Sequence, residues 1–408
     1  MTGISRRKVL KGLAGAGLCA LGGGALWADW QSSGAGTTTA PPPSLPALAR
    51  LALYSTSLEG SLDCASCHAP AEPSPALYCH VPHQGRYVRC TLCPHLCVLA
   101  EGERGTCRVR ENRGGQLYTF AYGNPCALNL DPIEKKPFYH FLPGTVAFSL
   151  ATAGCNLRCQ YCQNYTISQY PPEETENYDA PPEAIVSASA QQGAPTIAYT
   201  YSEPTAFYEY VLDTARLARR NGLHNVVISA GYINLEPLRE LCQTVDAIKI
   251  DLKGFNDSFY QTVCSATLQP VLDAIRTIHD AGVHLEIVNL VVPTLNDDPA
   301  ELRALSEWVL ETLGPEVPLH FSRFHPEYQL LNLPPTPIET LEAARQTALE
   351  VGLHYVYLGN VPGHEGNHTY CPQCGRMIIE RAGMSTTAVH MVDGQCGYCS
   401  TPIAGVWS

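Results

Sequence analysis

The stretch that decides the fold is VAFSLAT at Val146–Thr152, followed at once by AGCNLRCQYC at Ala153–Cys162. The first part is apolar enough for a buried strand, and the second carries three cysteines in the spacing CxxxCxxC. Three thiolates leave one iron of a cubane cluster without a protein ligand, and an open coordination position separates a catalytic metal centre from a closed one. No further cysteine follows until Cys242, so no fourth ligand is nearby in the sequence. We therefore predict a catalytic [4Fe-4S] cluster bound by Cys155, Cys159 and Cys162.

From about residue 145 onward, apolar runs alternate with amphipathic helical stretches. This alternation predicts a parallel α/β sheet buried on both faces, either doubly wound or closed toward a barrel. In both architectures the loops at the carboxyl ends of the strands carry the chemistry. The predicted strands are Val146–Thr152, Thr196–Thr200, Asn225–Ser229, Ala247–Leu252, Leu285–Val292, Leu319–Phe324 and Tyr355–Val361, and the predicted helices include Thr205–Asn221, Leu235–Val245, Val271–Ala281, Pro299–Leu313 and Glu339–Val351.

The composition sets the broad class of protein. Hydrophobic residues make up 45% of the 408 residues, so the chain has enough apolar sequence for a large core. The formal net charge of -12 argues against a nucleic-acid partner, because binding phosphates requires a basic surface. The 18 cysteines occur mainly in tight groups, which in a chain of this size indicates metal sites rather than a disulfide framework.

The C-terminal cysteines form two CxxC pairs, which is typical of a ribbon-type site with four thiolates around one metal. We expect a small appendage that folds around structural zinc, with a rubredoxin-like iron as the alternative. Its predicted ligands are Cys371, Cys374, Cys396 and Cys399.

A second group of four cysteines lies before the predicted sheet, in the spacing CxxC-x₃-C-x₉-C. It could hold an auxiliary iron–sulfur cluster or a zinc ion, with His95 as a competing ligand, or it could remain as reduced thiols. The predicted ligands are Cys90, Cys93, Cys97 and Cys107.

The N-terminus resembles a twin-arginine export signal, because Arg6-Arg7 precedes a short, weakly apolar run. Further on, Cys64-Ala-Ser-Cys67-His68 matches a c-type haem attachment motif, although nearby histidines suit zinc or a cluster equally well. The remaining cysteines, Cys126, Cys242 and Cys264, are interpreted as lone thiols, with Cys264 facing the active-site mouth. We divide the chain into a signal (1–28), a linker with a Cys/His-rich segment (29–85), an N-terminal cysteine-motif region (86–140), a catalytic core (141–366) and a metal-binding tail (367–408).

The CxxxCxxC motif, with an aromatic residue before its third cysteine and a strand before its first, resembles the radical S-adenosylmethionine (SAM) superfamily. The resemblance implies a partial (β/α) barrel, in which SAM binds the open iron and is reductively cleaved to a 5′-deoxyadenosyl radical that abstracts a substrate hydrogen atom. It also implies that residues at successive strand ends surround SAM. These are Tyr161, Ser202, Glu203, Ser229, Asp251, Lys253 and His325.

Within that superfamily, residues 86–408 resemble the radical SAM component of the AmmeMemoRadiSam system, which is related to the pyruvate formate-lyase activating enzymes. The resemblance rests on Arg89–Cys97, Asp131–Pro137, Gly154–Gln169 and the C-terminal cysteine pairs. It implies Memo-like and AMMECR-like partner proteins and a low-potential electron donor, and it leaves the substrate open.

The sequence is therefore compatible with two different functions. The first is an enzyme that uses the radical to modify a protein or a small molecule, favoured by the residues at the strand ends. The second is an exported multi-metal iron–sulfur electron-transfer or metal-binding protein, favoured by the export signal and the haem motif. The export signal suggests a location at or beyond the membrane, whereas SAM and a strong reductant are expected in the cytoplasm.

Overall fold

The computed structural model describes residues 49–59 and 86–408, and its main element is an eight-stranded sheet. The predicted signal and the haem motif lie outside the described residues. In chain order the strands are β1 (Arg50–Leu51), β2 (Ser55–Glu59), β3 (Arg86–Cys90), β4 (Val98–Leu99), β5 (Arg110–Arg113), β6 (Gln116–Thr119), β7 (Ala127–Pro132), β8 (Val146–Ala151), β9 (Thr196–Tyr199), β10 (His224–Ser229), β11 (Ala247–Asp251), β12 (His284–Val291), β13 (Leu319–Arg323), β14 (Val356–Gly359), β15 (Thr369–Tyr370), β16 (Met377–Ala382), β17 (Ser385–Val389), β18 (Met391–Val392) and β19 (Gln395–Cys396).

Helices connect the strands of the large sheet. The longer ones are α1 (Pro182–Gln191), α2 (Tyr208–Arg220), α3 (Leu235–Cys242), α4 (Gln269–Asp280), α5 (Pro299–Leu313) and α6 (Ile338–Val351). Short helical segments cover Ile133–Lys135, Tyr165–Ser168, Pro172–Glu174, Asp257–Phe259, the π-helical turn Tyr260–Cys264 and Glu365–Asn367. In the described part of the chain, no helix has both the length and the apolar character needed to cross a membrane.

The order of the strands distinguishes between the two architectures that the sequence left open. Strands β8 to β14 pair in parallel with their neighbours in chain order, without the reversal that defines a doubly wound sheet. Strand β7 adds antiparallel to β8 at one edge, and β14 has one partner among the described strands, so the barrel stays open. The predicted partial (β/α) barrel is confirmed, and it also takes in β7, which lies before residue 141.

The amino ends of the barrel strands are closed by an aromatic plug. Phe138 and Phe141 are fully buried and pack against small residues of the sheet, including Ala147, Ala198 and Ala247. The plug is held by Glu286 inside the barrel, whose carboxylate accepts hydrogen bonds from the backbone N–H groups of residues 139 and 140 at 2.8–3.0 Å. Because this end is sealed, the carboxyl ends of the strands are left for the functional site.

The C-terminal tail packs against the plug. The guanidinium of Arg381 is buried and donates to the backbone oxygen of Tyr139 at 2.8 Å and to the hydroxyl oxygen of Thr369 at 2.9 Å. Near the end of the chain, Trp407 packs against the ring of His140, with 5.3 Å between centroids. The tail therefore completes the hydrophobic core below the barrel.

Candidate active site

The loop that carries Cys155, Cys159 and Cys162 follows β8 at the carboxyl end of the sheet. It is fixed by backbone hydrogen bonds, from Arg158 N to Cys264 O at 2.9 Å and from Gln160 N to Val263 O at 3.0 Å. The π-helical turn before α4 therefore supports the loop from across the barrel.

Glycine is required at the start of this loop. Gly154 has φ +94°, and a Cβ atom placed there would lie 2.5 Å from the backbone oxygen of Cys107 and 2.6 Å from Cγ1 of Val109. Both the left-handed backbone and the close approach exclude other residues. The catalytic loop consequently lies directly against the N-terminal cysteine region.

The three thiols of the catalytic loop do not converge as the ligands of a single ion do. Within residues 49–59 and 86–408, the C-terminal cysteines are the only group of three or more candidate ligands whose atoms all lie within 4.8 Å of one another. Burial raises the pKa of Cys155 well above its usual range, and the nearby Glu203 carboxylate raises it further. Binding iron must therefore displace protons from these thiols, as thiolate ligation requires. Three separated thiolates from one loop fit a [4Fe-4S] cluster with one open iron.

Glu203 joins the loops after β9 and β10. Its Oε1 accepts hydrogen bonds from the Ser229 hydroxyl at 2.7 Å and from the Thr205 hydroxyl at 2.8 Å, and its Oε2 accepts one from Ala230 N at 2.9 Å. The buried Ser202 hydroxyl donates to the backbone oxygen of Thr152 at 2.7 Å. Glu203 and Ser229 are thus brought into one hydrogen-bonded unit, and Ser202 bonds separately to the residue that follows β8.

Asp251 and Lys253 form the next part of the site, at the end of β11. Asp251 accepts from Lys253 Nζ at 3.0 Å and makes a short contact with Lys249 Nζ. Burial alone would raise the pKa of Asp251, but the two ammonium groups outweigh it and lower the pKa to about 2. The Lys253 charge also acts on Cys159, so this ion-pair chain adjoins the predicted cluster.

Tyr161 and His325, the other two residues predicted to surround SAM, lie in the cysteine loop and in the loop after β13. Tyr161 is buried, and its hydroxyl lies 3.7 Å from the Cys264 sulfur, so the ring packs against the supporting turn. His325 is exposed in the loop after β13, and no contact joins it to the Glu203 or Asp251 groups in the part of the chain that the structure describes. That loop does reach the cysteine loop, through a 2.9 Å hydrogen bond from Gln329 N to Gln160 O.

Three functional features were missed by the sequence analysis. Cys264, which was interpreted as a lone thiol at the active-site mouth, is instead fully buried and hydrogen-bonded to Cys159. Lys249 lies inside the barrel on Asp251, and Tyr201 contacts Asp131 at the end of β7. No local pattern marks any of these contacts, except that Asp131 belongs to the Asp131–Pro137 motif.

Comparison with known proteins agrees with this geometry. The sequence model of the Radical SAM superfamily matches residues 149–305, which include the cysteine loop. An uncharacterized protein of Methanocaldococcus jannaschii is 54% identical over 294 residues, which cover 72% of this chain and 87% of that protein. The chain carries a radical SAM superfamily domain.

More distant relatives carry a functional name. The pyruvate formate-lyase 1-activating enzyme of Escherichia coli is 26% identical over 219 residues, which cover 50% of this radical SAM chain and 88% of that enzyme. The corresponding enzyme of Clostridium pasteurianum is 23% identical over 194 residues, which cover 44% and 77%. A solved domain of such an enzyme from Bacteroides vulgatus aligns with 40% of this chain and 98% of its own, at 20% identity and a TM-score of 0.36.

Membership of the radical SAM superfamily implies a [4Fe-4S] cluster and SAM as cofactors. The residues present fit both groups, because three buried or half-buried thiols adjoin Glu203 and an ion-pair chain that ends at Lys253.

The C-terminal cysteines form a separate candidate metal site with four thiols. The sulfurs of Cys371 and Cys399 lie 3.6 Å apart, and those of Cys374 and Cys396 lie 3.7 Å apart. Four sulfurs about 2.3 Å from one zinc in a tetrahedron would be about 3.8 Å apart. The tail therefore has the geometry of a site for a single metal ion.

Proposed function

We propose that this protein is a radical SAM enzyme that uses a 5′-deoxyadenosyl radical to abstract hydrogen from a protein or small-molecule substrate. The observation that carries the proposal is the position of the three-cysteine loop, which adjoins both the Glu203–Ser229 unit and Lys253 at one end of the barrel. An electron carrier would need the cysteines but would not need these polar and charged side chains beside them.

The residues of the chain have distinct roles in this proposal. Cys155, Cys159 and Cys162 hold three irons of the cluster and leave the fourth for SAM. When bound and reduced, the cluster and SAM together supply one electron and the deoxyadenosyl radical. Glu203 orients the positively charged end of SAM, and Ser229 holds the Glu203 carboxylate in place through its 2.7 Å hydrogen bond.

Lys253 places a positive charge beside Cys159, where a cluster with thiolate ligands adds negative charge. Asp251 holds the Lys253 ammonium at 3.0 Å, and burial of the pair restricts its movement. The aromatic plug around Phe138 packs into the opposite end of the barrel, where its buried apolar side chains would help to exclude water.

Resemblance to activating enzymes and to the AmmeMemoRadiSam component supports a finer proposal. We propose that the enzyme acts with Memo-like and AMMECR-like partner proteins and receives its electron from a low-potential donor. Isolation of the tagged enzyme under anaerobic conditions tests this part, since both partner types are expected to co-purify with it.

The central experiment is anaerobic reconstitution with iron and sulfide, followed by addition of dithionite and SAM. We expect 5′-deoxyadenosine and methionine to form in equal amounts, detected by mass spectrometry. The Cys159→Ala variant is expected to lose this activity, while Cys242→Ala, outside the site on α3, is expected to keep it.

If the reconstituted wild-type protein forms no 5′-deoxyadenosine, the proposal that it is a radical SAM enzyme is wrong. Retention of product formation in Cys159→Ala would exclude the three-cysteine loop as its source. Redox activity without any SAM cleavage would instead favour the electron-transfer protein.

A further inference from the structure

The N-terminal cysteines meet around one hollow. Cys90 ends β3, Cys93 and Cys97 belong to the turn after it, and Cys107 comes from the segment before β5. All four line one hollow, together with Leu92, Leu99 and Arg110. The turn is closed by a hydrogen bond from Cys90 N to Cys97 O at 2.9 Å.

The spacing of these sulfurs excludes the arrangement found in the tail. In the C-terminal site all four sulfurs lie within 4.8 Å of one another, as one tetrahedral ion requires. Among the described residues, no three ligand atoms of the N-terminal group meet that limit. Four cysteines that line one hollow without converging on one point fit a metal cluster better than a single metal ion.

One residue that lines the hollow carries an unsatisfied donor. Arg110 lines it, is 2% exposed, and pairs with the buried Glu209 through Nη2. Its Nε atom is buried and has no hydrogen-bond partner. A buried N–H group without a partner costs free energy, and thiolate or sulfide sulfur would accept its hydrogen bond.

His95, the competing ligand in the sequence analysis, is engaged elsewhere. Its Nε2 lies 2.7 Å from the backbone oxygen of Asn156, and its ring packs edge-on against Tyr232 at 5.1 Å between centroids. His95 therefore ties the N-terminal region to the catalytic loop, and the four cysteines remain as the ligand set.

We infer that Cys90, Cys93, Cys97 and Cys107 bind a second [4Fe-4S] cluster, closed by four thiolates and contacted by Arg110. The proposed cluster lies next to the catalytic loop, because Asn156, the neighbour of Cys155 in the chain, lines the same hollow. The close approach of Gly154 to Cys107 brings the two cysteine regions into direct contact. Since all its irons have protein ligands, this cluster does not bind SAM.

The test uses the full chain with the catalytic cysteines removed, as Cys155→Ala, Cys159→Ala and Cys162→Ala together. After anaerobic reconstitution we expect about four iron and four sulfide ions per chain, and a reduced [4Fe-4S] signal in electron paramagnetic resonance that SAM leaves unchanged. Adding Cys93→Ala and Cys107→Ala is expected to abolish both. The wild-type protein is expected to hold about eight iron ions.

Zinc without sulfide at this site, or a wild-type protein that never exceeds about four iron ions, would overturn the inference. If the triple variant does not fold, the iron content of the wild-type protein still tests the inference. SAM cleavage enters neither measurement, so the two-cluster inference and the proposed function fail independently. Cys242→Ala serves as the matched control and should leave the iron content unchanged.

Discussion

Gly154 and Cys107 approach so closely that a single added carbon cannot fit between them, since a Cβ on Gly154 would lie 2.5 Å from the Cys107 backbone oxygen. Through this contact the region of the N-terminal cysteines determines where the catalytic loop begins. The two cysteine regions are therefore one mechanical unit, although 47 positions separate the two residues in the chain.

The first prediction concerns this contact. Gly154→Ala must displace the loop or the Cys107 backbone, and we expect it to lower the iron content and to reduce SAM cleavage at least about tenfold, the effect of roughly 1.4 kcal/mol. Gly193→Ala is the matched control, because Gly193 has φ +67° but nothing within 4 Å of an added Cβ. Equal losses in both variants would assign the effect to backbone strain alone.

The second prediction concerns the hydrogen bond that holds Glu203. Ser229→Ala removes the 2.7 Å donor and leaves the carboxylate with the hydrogen bonds from Thr205 and Ala230 N only. A hydrogen bond to a charged group contributes about 1.5 kcal/mol or more, so SAM should bind about tenfold more weakly to the cluster-loaded protein. Equilibrium dialysis with labelled SAM measures this, with Ser187→Ala on α1 as the control. An unchanged dissociation constant would show that the Ser229 hydrogen bond does not contribute to SAM binding.

The third prediction concerns stability against pH. His140 Nδ1 lies 2.6 Å from Ala404 O and its Nε2 2.6 Å from the Tyr357 hydroxyl, and burial lowers its pKa to about 3. The folded state therefore resists protonation that the unfolded chain accepts below about pH 6.5. The stability that neutral His140 contributes is complete above that pH and is lost as the pH falls toward 3, by at most about 1.4 kcal/mol per pH unit.

Denaturant unfolding between pH 7 and 5 checks this expectation. His140→Gln should flatten the dependence of the free energy of unfolding on pH, and the same substitution at the exposed His279 controls for the change of residue type. An unaltered slope in His140→Gln would show that other groups dominate; the buried His320, whose pKa burial also lowers, is the first to test.

The fourth prediction concerns the metal of the tail. Cys374 and Cys399 are exposed, so replacing either with serine leaves no cavity and would scarcely change stability if the tail held no metal. We expect each substitution to release about one zinc ion per chain and to lower the melting temperature. Ser385→Ala on the exposed strand β17 is the control. A wild-type protein that retains iron there instead would identify a rubredoxin-like site.

Much of the fold was predictable because it depends on neighbours in the sequence. All seven predicted strands exist, since fully buried parallel strands read as continuous apolar runs. In the large sheet and among the six longer helices, two elements were missed. Helix α1 begins at Pro182 and is rich in alanine and serine, so it shows little contrast between faces, and β7 alternates apolar and polar residues over only six positions.

The sequence by itself determined the three cysteines of the catalytic loop, the strand before them and the closed pairs of the tail. Each of these depends on the spacing of residues a few positions apart, which is visible without a fold. Only the tertiary structure decided that the barrel is open, that Cys264 supports Cys159, and that Arg110 faces the N-terminal cysteines. These contacts join residues far apart in the chain, and they form because packing of the sheet and its loops brings them together, which no local pattern encodes.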